Sequence, residues 1–173
     1  GNTADYLVNA PVNLAATGSY QTRLCSDGAV RSYTILTTLG AEGSTTGADL
    51  QGMNGDWARN YALGADIDAS ATAGWAGGFG PIAPSTTRID GFTGRFDGLG
   101  HVIDRLTIDR PSNNYVGLFG NSRDGALVNV GLTRASVAGG VSVGILAGGT
   151  NTMTVRNVHT TGSVTGANAV GGV

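Results

Sequence analysis

One step length constrains this chain more than any other feature. Val116-Gly117-Leu118-Phe119-Gly120 returns as Val143-Gly144-Ile145-Leu146-Ala147-Gly148, and Val170-Gly171-Gly172-Val173 begins a third copy. Val116, Val143 and Val170 are 27 residues apart in each step. Within each repeat, Leu127 to Leu132 matches Thr154 to His159 with a shift of one residue. Ser136-Val137-Ala138-Gly139 then matches Ser163-Val164-Thr165-Gly166 at 27 again. A one-residue surplus that is removed so soon implies strands held in place, with a corner taking up the slack.

Internal repeats of this length decide the fold before local propensity does. Three short strands per 27 residues are too few for a propeller blade of four strands in ~40 or more residues. They leave no room for a helical crossover between parallel strands either. What remains is a coil of strands that stacks on the next coil, each strand pairing in parallel with its equivalent at a spacing of ~4.8 Å. The sequence thus predicts an all-β fold: a right-handed parallel β-helix (solenoid) of three short strands per ~27-residue coil, with loop insertions and one short helix. Apolar residues at matching positions would form inward columns, and Gly and Asn are expected at corners that need positive φ.

The pattern extends upstream. Phe96 to Ile103, followed by Arg105 to Ile108, reads as an earlier coil, with Arg110 to Asn114 as its loop. Tyr61 to Asp68 reads as a strand, and Gly74 to Pro84 as a Gly/Pro/Trp insertion covering the flank or end of the solenoid. Thr46 to Met53 has a short helical look, with Leu50 and Met53 three apart. Strand-like runs also occur at Tyr6 to Val8, Val12 to Leu14 and Tyr33 to Leu36, without a clear register. No polar linker divides these zones. A single β-helical domain is expected over 1–173: irregular N-terminal coils or a cap over 1–60, insertion-bearing coils over 61–114, and regular repeats over 115–173. Gly1 in place of Met, and Gly171-Gly172-Val173 in mid-pattern, lead to the expectation of a fragment of a longer protein.

Composition supports an ordered all-β chain: 40% of the 173 residues are hydrophobic, and 30 are glycine without a collagen triplet. A net charge of −2 offers no basic patch, so nucleic acid is not an expected partner. All ten basic residues are Arg, which reads as genomic composition bias. No apolar run approaches the ~20 residues of a membrane span, and no membrane insertion is expected. The lone Cys25 cannot form an internal disulfide and has no evident activating neighbour.

Tyr61 to Asp68, then Phe92 to His101, then Tyr115 to Gly120 together resemble large surface exoproteins of Gram-negative bacteria. These are the filamentous-haemagglutinin-like adhesins exported by two-partner secretion. The Val-Gly-x-Leu-x-Gly unit resembles the GLUG repeat, and the likeness covers about residues 33 to 173. Ala147 departs from the usual larger residue of that unit. The resemblance implies a β-helical stalk, secretion to the bacterial surface in association with the outer membrane, and adhesion to a host-surface or matrix glycan or protein. It supplies no catalytic residue.

Chemical motifs are sparse. Asp66 and Asp68 flank Ile67 on one side of a strand, but calcium takes six or more oxygens, so the pair reads as solvent-facing or corner-capping. Asp97, Asp104 and Asp109 lie among Arg95, Arg105 and Arg110. A polysaccharide-active site would need two carboxyls ~5–9.5 Å apart, and the mixture reads instead as a solvated exterior with ordinary ion pairs. His101 and His159 belong to no metal motif, and Glu42 is the only Glu. The Thr pairs 37–38, 86–87 and 160–161 lack the fixed step of an ice-binding array.

No catalytic residue, metal site or cofactor is expected, and the chain does not read as an enzyme. Trp57, Trp75, Phe79 and Tyr61 can plug the insertion against the solenoid or present aromatic faces to sugars. The ligand-contact loop is expected at Gly74 to Ser85 and Arg110 to Asn114, with Trp75, Phe79, Arg88 and Tyr115 as contacts. Self-association through the solenoid ends, giving filaments, is the alternative function.

Overall fold

Each apolar run is too short to bury itself, so stability has to come from stacking one run on its equivalent a coil later. The computed structural model describes residues 6–23, 28–84 and 90–172. It forms a right-handed parallel β-solenoid of about five turns. The described strands are β1 (Tyr20–Arg23), β2 (Val30–Leu36), β3 (Tyr61–Leu63), β4 (Ile67–Asp68), β5 (Arg95–Asp97), β6 (Val102–Asp104), β7 (Thr107–Arg110), β8 (Phe119–Arg123), β9 (Ala126–Gly139), β10 (Val141–Gly144), β11 (Ala147–Asn151), β12 (Thr154–Thr165) and β13 (Asn168–Gly171). Among them only the β1–β2 hairpin pairs antiparallel.

The register matches the repeat. Val116 bridges Val143, and Val143 pairs with Val170. The first coil step, whose register the sequence left open, is also 27: Thr34 pairs with Tyr61 and Leu36 with Leu63. The surplus residue enters at Ile145–Leu146, because Ala147 stands over Phe119, 28 residues on. It leaves at the bulge between Thr160 and Gly162. Thr160 pairs with Leu132 at 28, and Gly162 with Ala135 at 27.

The second and third elements of each repeat turn out to be one strand. β9 runs 14 residues without a break and bends at Asn129 and Arg134, where φ is 54° and 52°. Corners with positive φ are held by Gly and Asn, as expected, and by residues of other kinds as well. Tyr115, Ser142 and Ala169 form one such set at the coil step, and Asn129 and Asn157 another. Other glycines serve close approach. A Cβ on Gly117 would lie 2.6 Å from the Gly144 carbonyl oxygen and 2.9 Å from Ala147.

Inward columns form the core. Tyr61, Phe96, Leu127 and Val155 stack in successive coils. So do Ile103 with Leu132 and Ile108 with Val137. The ring of Phe119 sits 5.0 Å from Phe92 and 5.5 Å from Phe96, giving an aromatic centre of fully buried side chains.

Three expectations change. Gly74 to Pro84 is no detachable cover: Gly78 bridges Ile108, Ile82 bridges Phe119, and Phe79, Ile82 and Ala83 are fully buried. The helical look of Thr46 to Met53 resolves into a 3₁₀ turn at Gln51–Gly55, although Leu50 and Met53 are buried as their spacing suggests. Tyr6 to Val8 and Val12 to Leu14 are not strands. They belong to a strap held by Val12 N–H to the Leu99 carbonyl (3.0 Å) and Leu14 N–H to the Gly64 carbonyl (3.0 Å).

Phe96→Ala is expected to destabilise the chain by about 3–5 kcal/mol in urea unfolding, because it opens a cavity in the aromatic centre. Leu7→Ala, at a side chain 65% exposed, should stay within about 0.5 kcal/mol. A loss below ~1 kcal/mol for Phe96→Ala would contradict this packing.

Candidate functional site

The residues expected to contact a ligand go to different places. Phe79 is fully buried and stacks on the half-buried Trp75, with centroids 6.4 Å apart and planes 16° apart. These two rings therefore pack the insertion. Tyr61 is buried as well, and the Trp57 indole N–H donates to Asn54 Oδ1 at 3.3 Å. Arg88, Cys25, the Thr86–Thr87 pair and Ser85 lie outside the described residues. Tyr115 alone sits at an opening.

That opening is a cleft of about 530 Å³ with polar and apolar lining. The loop after β7 forms one wall with Arg110, Ser112, Asn113 and Tyr115, and Thr45 and Pro81 stand among the residues of the other walls. The insertion is pinned there by side-chain amides. Gln51 Oε1 accepts from Gly80 N–H (2.8 Å) while its Nε2 donates to the Gly80 carbonyl (3.0 Å). Asn54 Nδ2 donates to the Pro81 carbonyl (3.1 Å), and its Oδ1 accepts from Ala83 N–H (3.0 Å). The loop itself is set by Asn113 N–H to the Arg110 carbonyl (2.9 Å), and Asn114 Oδ1 accepts from Val141 N–H (3.0 Å). Of the described residues lining the cleft, Arg110 alone carries a charge.

A second cluster escaped the sequence reading. Asp97 is fully buried, although its place in the ladder faces outward, between Ala62 and Val128. The N-terminal strap covers that face, with Val8, Leu14 and Tyr20 packing on Tyr33, Ala62 and Leu99. The carboxylate accepts from the Tyr6 hydroxyl, from Asn129 Nδ2 (3.1 Å) and from Leu99 N–H (3.1 Å). Tyr6 and Tyr20 share a hydroxyl–hydroxyl hydrogen bond of 2.7 Å. Burial pushes Tyr20 up to about 12. Burial, then the hydrogen bond to Asp97, raises Tyr6 further. The available clue was the column Ile35, Ala62, Val128, which is apolar on what should be a wet face.

The remaining acids and histidines behave as structural groups. Ile67 is buried, and Asp66 and Asp68 are exposed corner caps. Asp66 Oδ1 accepts from Val102 N–H (3.0 Å) and meets His101 Nδ1 at 2.9 Å. The Val102 N–H first, and His101 second, hold its carboxyl below the usual range. The buried His101 also ties the strap down, through Nε2 to the Val12 carbonyl at 2.9 Å. Asp104 pairs with Arg134, whose Nε donates at 2.9 Å, and accepts from the Thr133 hydroxyl at 2.7 Å. Arg105 pairs with Asp68 at 2.7 Å. His159 is exposed and pairs with Gly131 in the ladder. Among the described residues no three His, Cys, Asp or Glu gather as metal ligands.

Fold and site together define a stretch of β-solenoid with one outward face sealed by its own strap and a cleft beside its insertions. Its sequence is similar to part of halomucin from Haloquadratum walsbyi, 53% identical over 134 residues. The alignment takes in 73% of this chain and 2% of halomucin, so the chain spans about 2% of that relative's length. No family model and no solved structure matches the chain. The likeness to filamentous-haemagglutinin-type exoproteins and to the GLUG unit therefore stands on the residues alone. Among the described residues no helix is long and apolar enough to cross a membrane.

The exterior ion pairs carry a pH signature. The Arg134 guanidinium, then the Thr133 hydroxyl, lower Asp104 from its ordinary 3.8 to about 2. A carboxyl depressed in the folded state stabilises fully above its unfolded pKa and loses that contribution as pH falls through the folded one. Asp104→Asn is thus expected to lower the melting temperature at pH 7 slightly. The difference from wild type should shrink as pH drops from about 4 toward 2. A difference that stays constant over that window would sink the assignment.

Proposed function

We propose that this chain is a structural segment of a very large surface protein, a rigid rod that holds other parts of the molecule away from the cell. The observation that carries this reading is the in-register stacking of Val116, Val143 and Val170 at a fixed 27-residue step. Such a ladder can be extended coil by coil without a new core. The relative fits the same picture: halomucin bears the name of a mucin, and this chain matches only about one-fiftieth of it. Adhesion to an outside glycan or protein is the finer part of the proposal. The exposed loop over 111–114 is the surface that would carry it, now that the Gly74 to Pro84 segment is accounted for by packing. Export by two-partner secretion and outer-membrane association belong to the same finer proposal and rest on the sequence resemblance. No catalytic step is part of this reading.

Antibodies raised against the folded chain should label intact cells of the organism that makes it. Labelling that requires permeabilised cells would overturn the surface assignment.

A further inference from the structure

The cleft has an electrostatic imbalance that the scaffold reading does not use. Arg110 Nε is buried and has no hydrogen-bond partner among the described residues. No ion pair engages this guanidinium there either, although Arg59, Arg105, Arg123 and Arg134 each pair with an Asp. A buried donor without a partner costs about 1–3 kcal/mol, and a half-buried cation without a counter-charge adds to that. The side chain cannot relax by losing its proton, because a guanidinium stays charged. It is held against backbone: a Cβ on Gly77 would lie 3.5 Å from Arg110 Cζ.

The surrounding wall narrows the ligand. About 530 Å³ lies within the ~300–1,000 Å³ of small-molecule sites and suits one or two sugar rings. Thr45, Ser112 and Asn113 offer hydroxyl and amide groups suited to a ring rich in hydroxyls, and Tyr115 and Pro81 are apolar lining residues. Arg110, the one cation among the described lining residues, matches one negative charge. A polyphosphate would meet too few cations, and the chain's net charge of −2 opposes a polyanion.

We propose that this cleft binds an anionic saccharide, with the Arg110 guanidinium clamping its carboxylate or sulfate group. The Tyr115 ring and the loop over 111–114 hold the sugar ring. This inference goes beyond the scaffold reading and does not depend on where the protein resides.

The test is calorimetric titration of the 173-residue chain with methyl glucuronide, methyl glucoside 6-sulfate, methyl glucoside and acetate at matched ionic strength. The Arg110 Nε–H resonance is followed in parallel. Binding of the glucuronide or the sulfate ester, with a shifted Arg110 Nε–H signal, supports the proposal, and the tighter of the two names the acid group. Arg110→Gln should weaken that binding by about tenfold or more, the scale of one lost charge-assisted pair. Arg110→Lys, which keeps the charge without the fork, should fall between. Arg110→Gln should melt at or above the wild-type temperature and Arg110→Lys close to it, since Arg110 Nε has no partner among the described residues. The proposal fails if neutral glucoside or bare acetate binds as tightly as the acidic sugars. It also fails if none of the four binds at millimolar concentration, or if Arg110→Gln binds unchanged. Failure there leaves the surface-labelling result untouched.

Discussion

The parallel backbone ladder between coils is the constraint on which everything else depends. Side chains alternate faces with a period of two, so a slip of one residue would turn a whole inward column outward. This explains why the chain tolerates an extra residue only where it can be removed again. The surplus enters at Ile145–Leu146, between two ladders, and leaves at the Thr160–Gly162 bulge before Val164 meets Val137. Without that correction Val164 would lose its place on the core. Larger insertions obey the same rule. Between Tyr61 and its ladder partner Phe96 the step grows to 35 residues, and the excess is folded back as the segment that contributes Phe79 and Ile82.

The corners follow from the ladder. A solenoid must turn sharply several times per coil, and residues with positive φ make those turns, although an L-residue resists that conformation by roughly 1–2 kcal/mol. Register makes the corners stack, and stacking lets side chains offset the strain. Asn157 Nδ2 donates to Asn129 Oδ1 at 2.9 Å, and Asn129 donates onward to Asp97. At another corner the stack is Tyr115, Ser142, Ala169, with no shared side-chain chemistry. There the Tyr115 N–H donates to the Val141 carbonyl at 2.9 Å. Backbone stacking, with the Asn114 amide oxygen accepting from Val141 N–H, holds a bulky aromatic in a left-handed turn, and this places Tyr115 at the cleft.

Periodicity made the coils legible from residue 96 onward, because Val116, Val143 and Val170 repeat at one spacing. It also identified the neighbour of His159, which pairs with Gly131, next to the Leu132 that the spacing suggested. What it could not convey was which outward faces are covered. Asp97 sits among Arg95 and Asp104 in sequence and looks like one more exterior acid. Its burial depends on Tyr6, 91 residues away, and no local pattern announces that contact. The Gly74 to Pro84 insertion misled for a related reason. Glycine and proline suggest a loop, but Gly78 lies so close to the Thr107 carbonyl and Ile108 that no other residue fits. Glycine density there marks contact with the coil, not freedom from it.

Asp97 and Arg110 show how the same architecture treats two charges differently. The carboxylate is enclosed, and donors from the strap, from its own turn and from the next coil satisfy it. Enclosing a charge is tolerable only when its hydrogen-bonding capacity is filled, so Asp97 is a rivet for the strap and has nothing left to offer a ligand. Arg110 is half-buried by the insertion, yet its Nε meets no acceptor. At the wall of a cleft, a half-buried cation with no ion pair among the described residues favours a negative partner from outside.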